Sequence, residues 1–232
     1  MKEQDKIRFL EKIELFSSLT KEELQRISSR MVEKKYKKNE IILHAEDTNE
    51  YMYIIWSGKV KVVRTTEEGK EILYAMHHAG DFFGEMSLID GKTTPASVIA
   101  IEESMITIIS KKDFREILYG HDKMIESLLK MLCSRLRNCF ETIQLLNLNN
   151  ATQRVKMLFL ILSAEYGEKT AEGITINLKL THQSISDMTG MTRETVTRVF
   201  DKLQKSGDIT ILENRLIRLR PDFLSDDLRG TI

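Results

Sequence analysis

Arg193, Glu194 and Arg198 are the residues whose types and spacing favour one particular chemistry, the reading of DNA base edges. An arginine can donate two hydrogen bonds to guanine, and a carboxylate can accept one from the amino group of cytosine. On a helix Glu194 and Arg198 lie one above the other, because they are four residues apart, and Arg193 borders them on the polar face near the start of the helix. The sequence therefore predicts a DNA interface built around these three residues. Its other predicted members are Gln183, Thr192, Thr195, Thr197 and Lys202.

Two short helical patterns on either side of Gly190 would position these side chains. The first has Ile185 and Met188 as its buried residues. The second has buried positions at helical spacing: Val196, Val199, Phe200 and Leu203. Gly190 can turn the chain with a positive φ at no steric cost, and the Thr192 hydroxyl can cap the second helix. The pattern predicts a helix-turn-helix, whose second helix enters the major groove. The alternative is a helical hairpin with a solvated charged face.

The flanking segments extend this motif to a domain. A tight hairpin around Glu213-Asn214 directly follows the second helix, which is the arrangement of a winged helix. Upstream, the apolar pattern over 153–162 predicts a helix that covers the back of the motif, and 174–178 alternates as a short strand. We therefore predict a winged helix-turn-helix DNA-binding domain over 151–232.

Composition alone would not indicate a DNA-binding protein. The 232 residues leave room for two modest domains, and the 35 basic and 35 acidic residues cancel to a net charge of zero. Specificity would then depend on a few base contacts, with modest neutralisation of phosphates. The chain shows no signal-peptide pattern and no apolar run of membrane-spanning length, which predicts a cytoplasmic protein. It also shows no nucleophile elbow, P-loop or metal-ligand spacing, so we expect neither an enzyme nor a metal site.

The N-terminal half has the pattern of a β-structure. Glycines recur at equal intervals, at Gly58, Gly69, Gly80 and Gly91. Short apolar or alternating runs lie around them, at 51–56, 59–63, 71–76, 96–101 and 105–109. Turn signals at this spacing predict a small antiparallel sandwich or barrel, here over 1–120. Thr20 and Glu23 form a capping box ahead of a short helix through Ile27, and Ser110 begins another helix.

A long helical pattern over about 121–148 connects the two halves. Its apolar residues alternate steps of four and three, at Ile125, Leu129, Leu132, Leu136, Cys139, Ile143 and Leu146. That spacing predicts a coiled-coil seam, whereas a helix packed on its own barrel would show a broader stripe. We interpret 121–150 as the dimerisation helix of a parallel homodimer, because paired reading heads need a two-fold axis.

A barrel, a long dimerising helix and a winged helix in this order resemble the family of the cyclic AMP receptor protein and FNR. Two motifs carry the resemblance, which covers nearly the whole chain: Gly80-Asp-Phe-Phe-Gly-Glu-Met-Ser-Leu-Ile-Asp-Gly91 and Thr192-Arg-Glu-Thr-Val-Thr-Arg198. It implies an α+β fold with an N-terminal jelly-roll barrel. It also implies a homodimeric transcription regulator that reads a TGTGA-like inverted repeat in double-stranded DNA, with RNA polymerase as a partner. A small effector bound between barrel and long helix would reposition the reading heads.

The resemblance implies an effector pocket, and this chain departs from the family pattern there. Relatives that bind cyclic AMP present a Gly-Glu pair to the ribose, which is kept here as Gly84-Glu85. The arginine and serine that hold the phosphate are replaced here by Thr94 and Pro95. Threonine has no charge and proline has no backbone N–H, so neither residue can hold the phosphate as that pair does. The hydroxylated pair that meets adenine is replaced by Cys139-Phe140. The implied pocket comprises Gly84, Glu85, Met86, Ser87, Thr94, Pro95, Cys139 and Phe140, and we expect it to be more apolar than a nucleotide site and not to bind cyclic AMP.

The identity of the effector stays open at this point. An iron–sulfur cluster of the FNR kind needs several cysteines, mostly near the N-terminus, but no cysteine precedes Cys133. Cys133 and Cys139 are about 240° apart on a helix, so one chain cannot bring both to one metal ion. Haem held by His77 or His78, an unidentified small molecule, and no effector are the alternatives. A binding module that serves an enzyme or a channel is the rival class, but such a module needs no base-matched recognition helix.

Overall fold

The computed structural model describes residues 3–69, 71–213 and 215–223. The chain divides into two compact units, Met1–Arg135 and Leu136–Ile232, and the division falls within the long helix. Across the described ranges, no helix combines the length and the apolar character that crossing a membrane requires.

The first unit contains eight strands: β1 (Val32–Tyr36), β2 (Ile41–Leu43), β3 (Tyr51–Ser57), β4 (Lys59–Thr65), β5 (Glu71–His78), β6 (Phe82–Phe83), β7 (Ser97–Ala100) and β8 (Ser104–Ser110), all within the described residues. They form two antiparallel four-stranded sheets, with strand orders β1-β8-β3-β6 and β2-β7-β4-β5. This confirms the predicted antiparallel β-domain. The four regularly spaced glycines, Gly58, Gly69, Gly80 and Gly91, all adopt positive φ, as turn glycines do.

The burial of both faces of strand β3 explains why its sequence is apolar without interruption. Successive strand residues point to opposite faces of a sheet. Met52 and Ile54 pack into a cluster with the helices of the unit, whereas Tyr53 and Ile55 pack between the two sheets. Because both faces of β3 are covered, it lacks the alternating polar residues of a strand that has one face in solvent.

Helices cover the outer face of this sheet and close the unit. They are α1 (Glu3–Leu10), α2 (Lys21–Ser28), α3 (Glu85–Asp90), α4 (Lys111–Gly120) and α5 (Asp122–Asn147), with a short 3₁₀ turn at Glu14–Phe16. The predicted capping box is present: Thr20 N–H donates to Glu23 Oε2 over 2.8 Å, and Glu23 N–H donates to Thr20 Oγ1 over 3.3 Å. Ser110 caps α4 by accepting from Asp113 N–H over 3.2 Å.

The second unit contains the predicted winged helix-turn-helix, which follows the end of α5. Its elements are α6 (Ala151–Tyr166), β9 (Gly167–Thr170), β10 (Gly173–Ile176), α7 (His182–Thr189), α8 (Arg193–Lys205), β11 (Ile209–Ile211) and β12 (Ile217–Leu219). The sheet order is β11-β12-β10-β9, all antiparallel. Strands β11 and β12 pair as the predicted wing; Glu213 lies between them, and Asn214 lies outside the described residues.

A buried ion cluster joins α6 to both ends of the wing. Asp208, 7% exposed, precedes β11, and its Oδ2 lies 3.4 Å from Lys156 Nζ. Its Oδ1 lies 3.1 Å from Nε of Arg220, which follows β12, and Ser206 Oγ donates to Oδ2 over 2.9 Å. A buried carboxylate is tolerated only when it is paired in this way. The cluster therefore fixes the wing next to the C-terminus of α8.

Candidate functional site

The helix-turn-helix is built as its sequence pattern predicts. Gly190 ends α7 with a φ of 65°, and the Thr192 hydroxyl accepts from Thr195 N–H over 3.2 Å to cap α8. The predicted apolar face of α8 is buried at Val196, Val199, Phe200 and Leu203. On α7, Ile185 is fully buried, but Met188 is only half-buried, contrary to its predicted place in the core. Burying one face of α8 fixes its rotation and turns the opposite face outward.

The outward face of α8 carries the predicted base-reading residues. Arg193, Glu194, Arg198 and Lys202 are exposed, and Thr195 and Thr197 are half-buried. A hydrogen bond from its own backbone N–H, then the Thr192 side chain and the charges of Arg193 and Arg198, lower the pKa of Glu194. On α7, Gln183 Nε2 donates to Asp187 Oδ1 over 2.8 Å at the surface. The α8 face therefore offers guanidinium donors and an ionised carboxylate to a base edge.

Arg154 on α6 ties the motif to the preceding segment of its unit. Its Nε donates to the carbonyl oxygen of Leu148 over 3.1 Å, just after the end of α5. Its Nη1 donates to the carbonyl oxygen of Thr189 over 3.1 Å, at the end of α7. One side chain thus joins the last turn of α7 to the segment that precedes α6. The sequence pattern gave no reason to single it out.

In the barrel unit, Gly84 and Glu85 lie at the start of α3. Gly84 has a φ of 88°, and a Cβ there would lie 2.9 Å from the carbonyl oxygen of Tyr51, so a glycine is required. Asn49 Nδ2 donates to the Gly84 carbonyl over 2.9 Å. Glu85 is 3% exposed and Ser87 is buried, whereas Met86 is 51% exposed. The Gly-Glu pair thus places a carboxylate inside the protein.

The carboxylate of Glu85 is engaged by Arg135, a residue of α5 that sequence reasoning missed. Arg135 Nη1 donates to Glu85 Oε1 over 2.6 Å, and Nη2 donates to the Phe82 carbonyl over 2.7 Å. The guanidinium also lies 5.0 Å from the centroid of the Phe82 ring. Arg135 therefore brings a cation to a region predicted to be apolar. Neither local pattern gave a signal for this pair, because Arg135 lies beside the seam residue Leu136 and is 50 positions from Glu85 in the chain.

Thr94 and Pro95 make local contacts within the barrel unit. The Thr94 side chain is buried, and its hydroxyl donates to the carbonyl oxygen of His44 and lies 3.3 Å from that of Asp47. The Pro95 carbonyl accepts from Arg64 Nη1 over 3.0 Å. The Thr94 hydroxyl is thus used within the fold.

The predicted seam of α5 varies in exposure along its length. Near the N-terminus, Ile125 and Leu132 pack partly against the core of the first unit. The other large apolar members are 45–57% exposed: Leu129, Leu136, Ile143 and Leu146. Cys139 is exposed as well, and the adjacent Phe140 is 60% exposed. Exposed apolar side chains recurring on one helix are characteristic of an interaction surface.

Comparisons with known proteins agree with both units. Residues 33–121 match the family model of the cyclic nucleotide-binding domain, and residues 153–226 match that of the Crp-like helix-turn-helix domain. The global nitrogen regulator of Nostoc sp. is 30% identical over 82% of this chain and 86% of its own length. The chain belongs to the CRP/FNR family. The cyclic AMP receptor protein of Thermus thermophilus is 28% identical over 85% of this chain and 88% of its own.

Solved structures of the CRP/FNR family share the fold. FixK2 from Bradyrhizobium japonicum superposes with a TM-score of 0.70 and 25% identity, covering 82% of this chain and 92% of its own. The family consists of transcription regulators that bind DNA and usually act as dimers. The predictions of fold, of family and of a DNA-binding regulator are therefore confirmed.

The histidines considered for haem have partners within the barrel of this CRP/FNR chain. The Nδ1 atoms of His77 and His78 lie 3.6 and 3.2 Å from Oδ2 of Asp81. Burial acts to raise the pKa of Asp81, but the hydrogen bonds from His77 and from the His78 backbone outweigh it, so the pKa is lowered. Over the described ranges, no three His, Cys, Asp or Glu side chains form a group that could hold a metal ion.

Proposed function

We propose that this regulator is a homodimer that reads an inverted repeat near TGTGA-N6-TCACA under the control of a small effector other than cyclic AMP. The outward face of α8 carries the proposal, because it exposes two arginines and a glutamate at the end of the helix that meets base edges. Arg193 and Arg198 supply donors for guanine, and Glu194 supplies an acceptor for the cytosine amino group.

The exposed half of the α5 seam supports the dimer. Leu136, Ile143 and Leu146 would each bury an exposed apolar side chain against its symmetry mate. In this proposal, residues 1–120 sense the effector, 121–150 dimerise and 151–232 read DNA. The two-fold axis then sets two half-sites about one helical turn apart.

Selection from a random-sequence duplex library with the full-length protein tests the DNA site. We expect a two-fold symmetric motif with G·C pairs at the positions read by the arginines. The amount of DNA bound should follow the concentration of the protein dimer. Selected sites without two-fold symmetry would contradict the proposed readout. Enrichment of no sequence would instead favour a binding module that does not read DNA.

Three features of the barrel unit support the exclusion of cyclic AMP. The Glu85 carboxylate is engaged by Arg135, the Thr94 hydroxyl is engaged by backbone carbonyls, and Pro95 offers no N–H. Loss of a bidentate, charge-assisted phosphate contact alone forfeits roughly 1.5–3 kcal/mol.

Isothermal titration of the full-length protein with cyclic AMP tests this half of the proposal. We expect no binding below millimolar concentration and no change in operator affinity. A micromolar dissociation constant would show that Thr94-Pro95 does not lie over the phosphate position. An absorption spectrum of freshly purified protein would separately reveal haem or an iron–sulfur cluster.

A further inference from the structure

His182, the first residue of α7, contacts the recognition helix directly. Its Nδ1 lies 2.9 Å from Oγ1 of Thr197, a residue of the predicted base-reading face. Its ring also packs on Phe200, with 4.7 Å between ring centroids. Phe200 is 3% exposed and belongs to the buried face of α8, so the imidazole rests on a fixed support. His182 therefore links the core of the motif to Thr197.

The hydroxyl group of Thr197 has two hydrogen-bond partners within the protein. Thr197 Oγ1 also lies 3.0 Å from the carbonyl oxygen of Arg193, one turn earlier on α8, and a carbonyl can only accept. Both contacts are satisfied together when the single hydroxyl hydrogen of Thr197 points to Arg193 and Nδ1–H of His182 donates to Thr197 Oγ1.

The consequence concerns what Thr197 can present to DNA. Its hydroxyl hydrogen and one of its two oxygen lone pairs are used within the protein, so the hydroxyl has no hydrogen left to donate to a base edge, and the methyl group is free to make an apolar contact. A threonine methyl makes apolar contact with the C5 methyl of thymine in the major groove. We propose that His182 is a specificity-determining residue, which holds Thr197 so that its methyl group selects a thymine in each half-site. This inference rests on the proposed DNA-reading function.

Replacement of thymine by uracil tests the proposal, because it removes only the C5 methyl. Each thymine of the operator selected by the full-length protein is replaced in turn, symmetrically in both half-sites, and affinity is measured. We expect one position in each half-site to respond, with a loss of about fourfold for each methyl contact removed, as for one buried methylene. No response at any thymine would overturn the inference.

Variants of the two residues separate positioning from support of the fold. His182→Phe keeps an aromatic ring on Phe200 but has no donor, so the thymine preference should fall to within about twofold, while other positions keep theirs. His182→Asn places an amide N–H near the former Nδ1 and should restore the preference. Thr197→Ser keeps the hydroxyl but lacks the methyl, and it should abolish the uracil effect even if the His182 variants are poorly folded.

A double-variant comparison completes the test. Thr197→Val has methyl groups but no hydroxyl, so adding His182→Phe to it should change the uracil response no further. If His182→Phe instead lowers affinity equally for every operator, or leaves the thymine preference intact, His182 only supports the fold and the proposal is wrong. If the wild-type protein selects no symmetric site, the proposed function fails as well. If the wild-type protein selects a symmetric site but His182→Phe keeps the same thymine preference, only the inference about His182 fails and the proposed function stands.

Discussion

Glu85 in the barrel unit and Glu194 on the recognition helix are the acidic residues of the two candidate sites, and their surroundings are opposite. Glu85 is 3% exposed, and Arg135 donates to it over 2.6 Å. Glu194 is exposed, and the hydrogen bonds that lower its pKa come from its own helix start. The first charge is balanced inside the fold, whereas the second remains in solvent, where an incoming base can reach it.

This difference predicts different kinds of failure. Removing a partner from a buried pair leaves an uncompensated charge and weakens the fold. Removing a solvated side chain leaves the fold intact and weakens only the binding of the partner. The same distinction applies to apolar side chains, since Phe159 is fully buried in the second unit whereas Leu136 is 53% exposed.

The largest effect is expected at Leu136, an exposed apolar side chain of the proposed dimer seam. Leu136→Glu would bury two like charges in the dimer seam, which costs about 3–5 kcal/mol or more. We expect a monomer in sedimentation velocity and loss of operator binding. Arg137→Glu is the matched control, because it adds a carboxylate one residue away, outside the seam, and should remain dimeric. A Leu136→Glu protein that sediments as a dimer would exclude this seam.

Arg135→Met should have the next largest effect, and it should act on stability. It leaves the buried Glu85 carboxylate unpaired, at a cost of about 3 kcal/mol, the low end for buried pairs because 30% of the Arg135 side chain is exposed. Urea unfolding measures the loss, and Glu85→Gln added to Arg135→Met should recover part of it.

Arg30 provides the control for Arg135, because its pairs with Asp113 and Glu116 are at the surface. Arg30→Met should shift the unfolding midpoint far less than Arg135→Met, since exposed ion pairs contribute little. Equal shifts of the unfolding midpoint for the two variants would show that the buried ion pair of Glu85 stabilises the fold no more than an exposed ion pair does.

Arg198→Ala should affect binding without affecting stability. Loss of a bidentate contact to guanine is expected to cost roughly 1–3 kcal/mol and to relax the preference at one G·C pair. Lys202→Ala, which removes an expected phosphate contact, should weaken binding to all sequences alike and reduce the salt dependence. Fluorescence anisotropy with single-base operator variants distinguishes the two. A uniform loss in Arg198→Ala would mean that Arg198 contacts phosphate.

The smallest effect is expected at the capping box of α2, where a surface charge is balanced locally. Thr20→Ala should cost about 1 kcal/mol. The backbone N–H of Thr20 and, more weakly, the charge of His121 lower the folded pKa of Glu23. Its contribution is therefore complete above the unfolded carboxyl pKa and is lost as pH falls through the folded value. Thr20→Ala keeps that backbone N–H, so the acid loss is tested with Glu23→Gln, which removes the titrating group. Thermal unfolding from neutral pH to about pH 3 should show a shallower acid loss in Glu23→Gln than in the parent protein. Parallel profiles of these two proteins would contradict this.

The recognition motif was predictable because its determinants are local. Gly190, the Thr192 cap and the buried face of α8 lie within a few turns of one another, so spacing alone shows them. The strands with strong alternation were found for the same reason. Strand β1 was missed because only Tyr36 of its five residues is buried, and β6 was missed because it has two residues.

The contacts that connect distant segments were not predictable. Arg135 and Glu85 are separated by 50 residues, and nothing in either local pattern indicates the other. The contact between His182 and Thr197 spans 15 residues and depends on the angle at which α7 crosses α8. Sequence periodicity shows which face of an element is buried, but it does not show which side chains meet after packing.

Arg154 has a consequence for the exchange of parts between relatives. Both carbonyl groups that it holds belong to the backbone, so the contact places no demand on the side chains at Leu148 and Thr189. Natural or engineered chimaeras could therefore graft this reading head onto a different upstream helix and keep the joint, provided that the arginine is carried along. Because the contact of Arg154 does not depend on the side chains at these two positions, one DNA-binding domain can be combined with different sensor domains in the course of evolution.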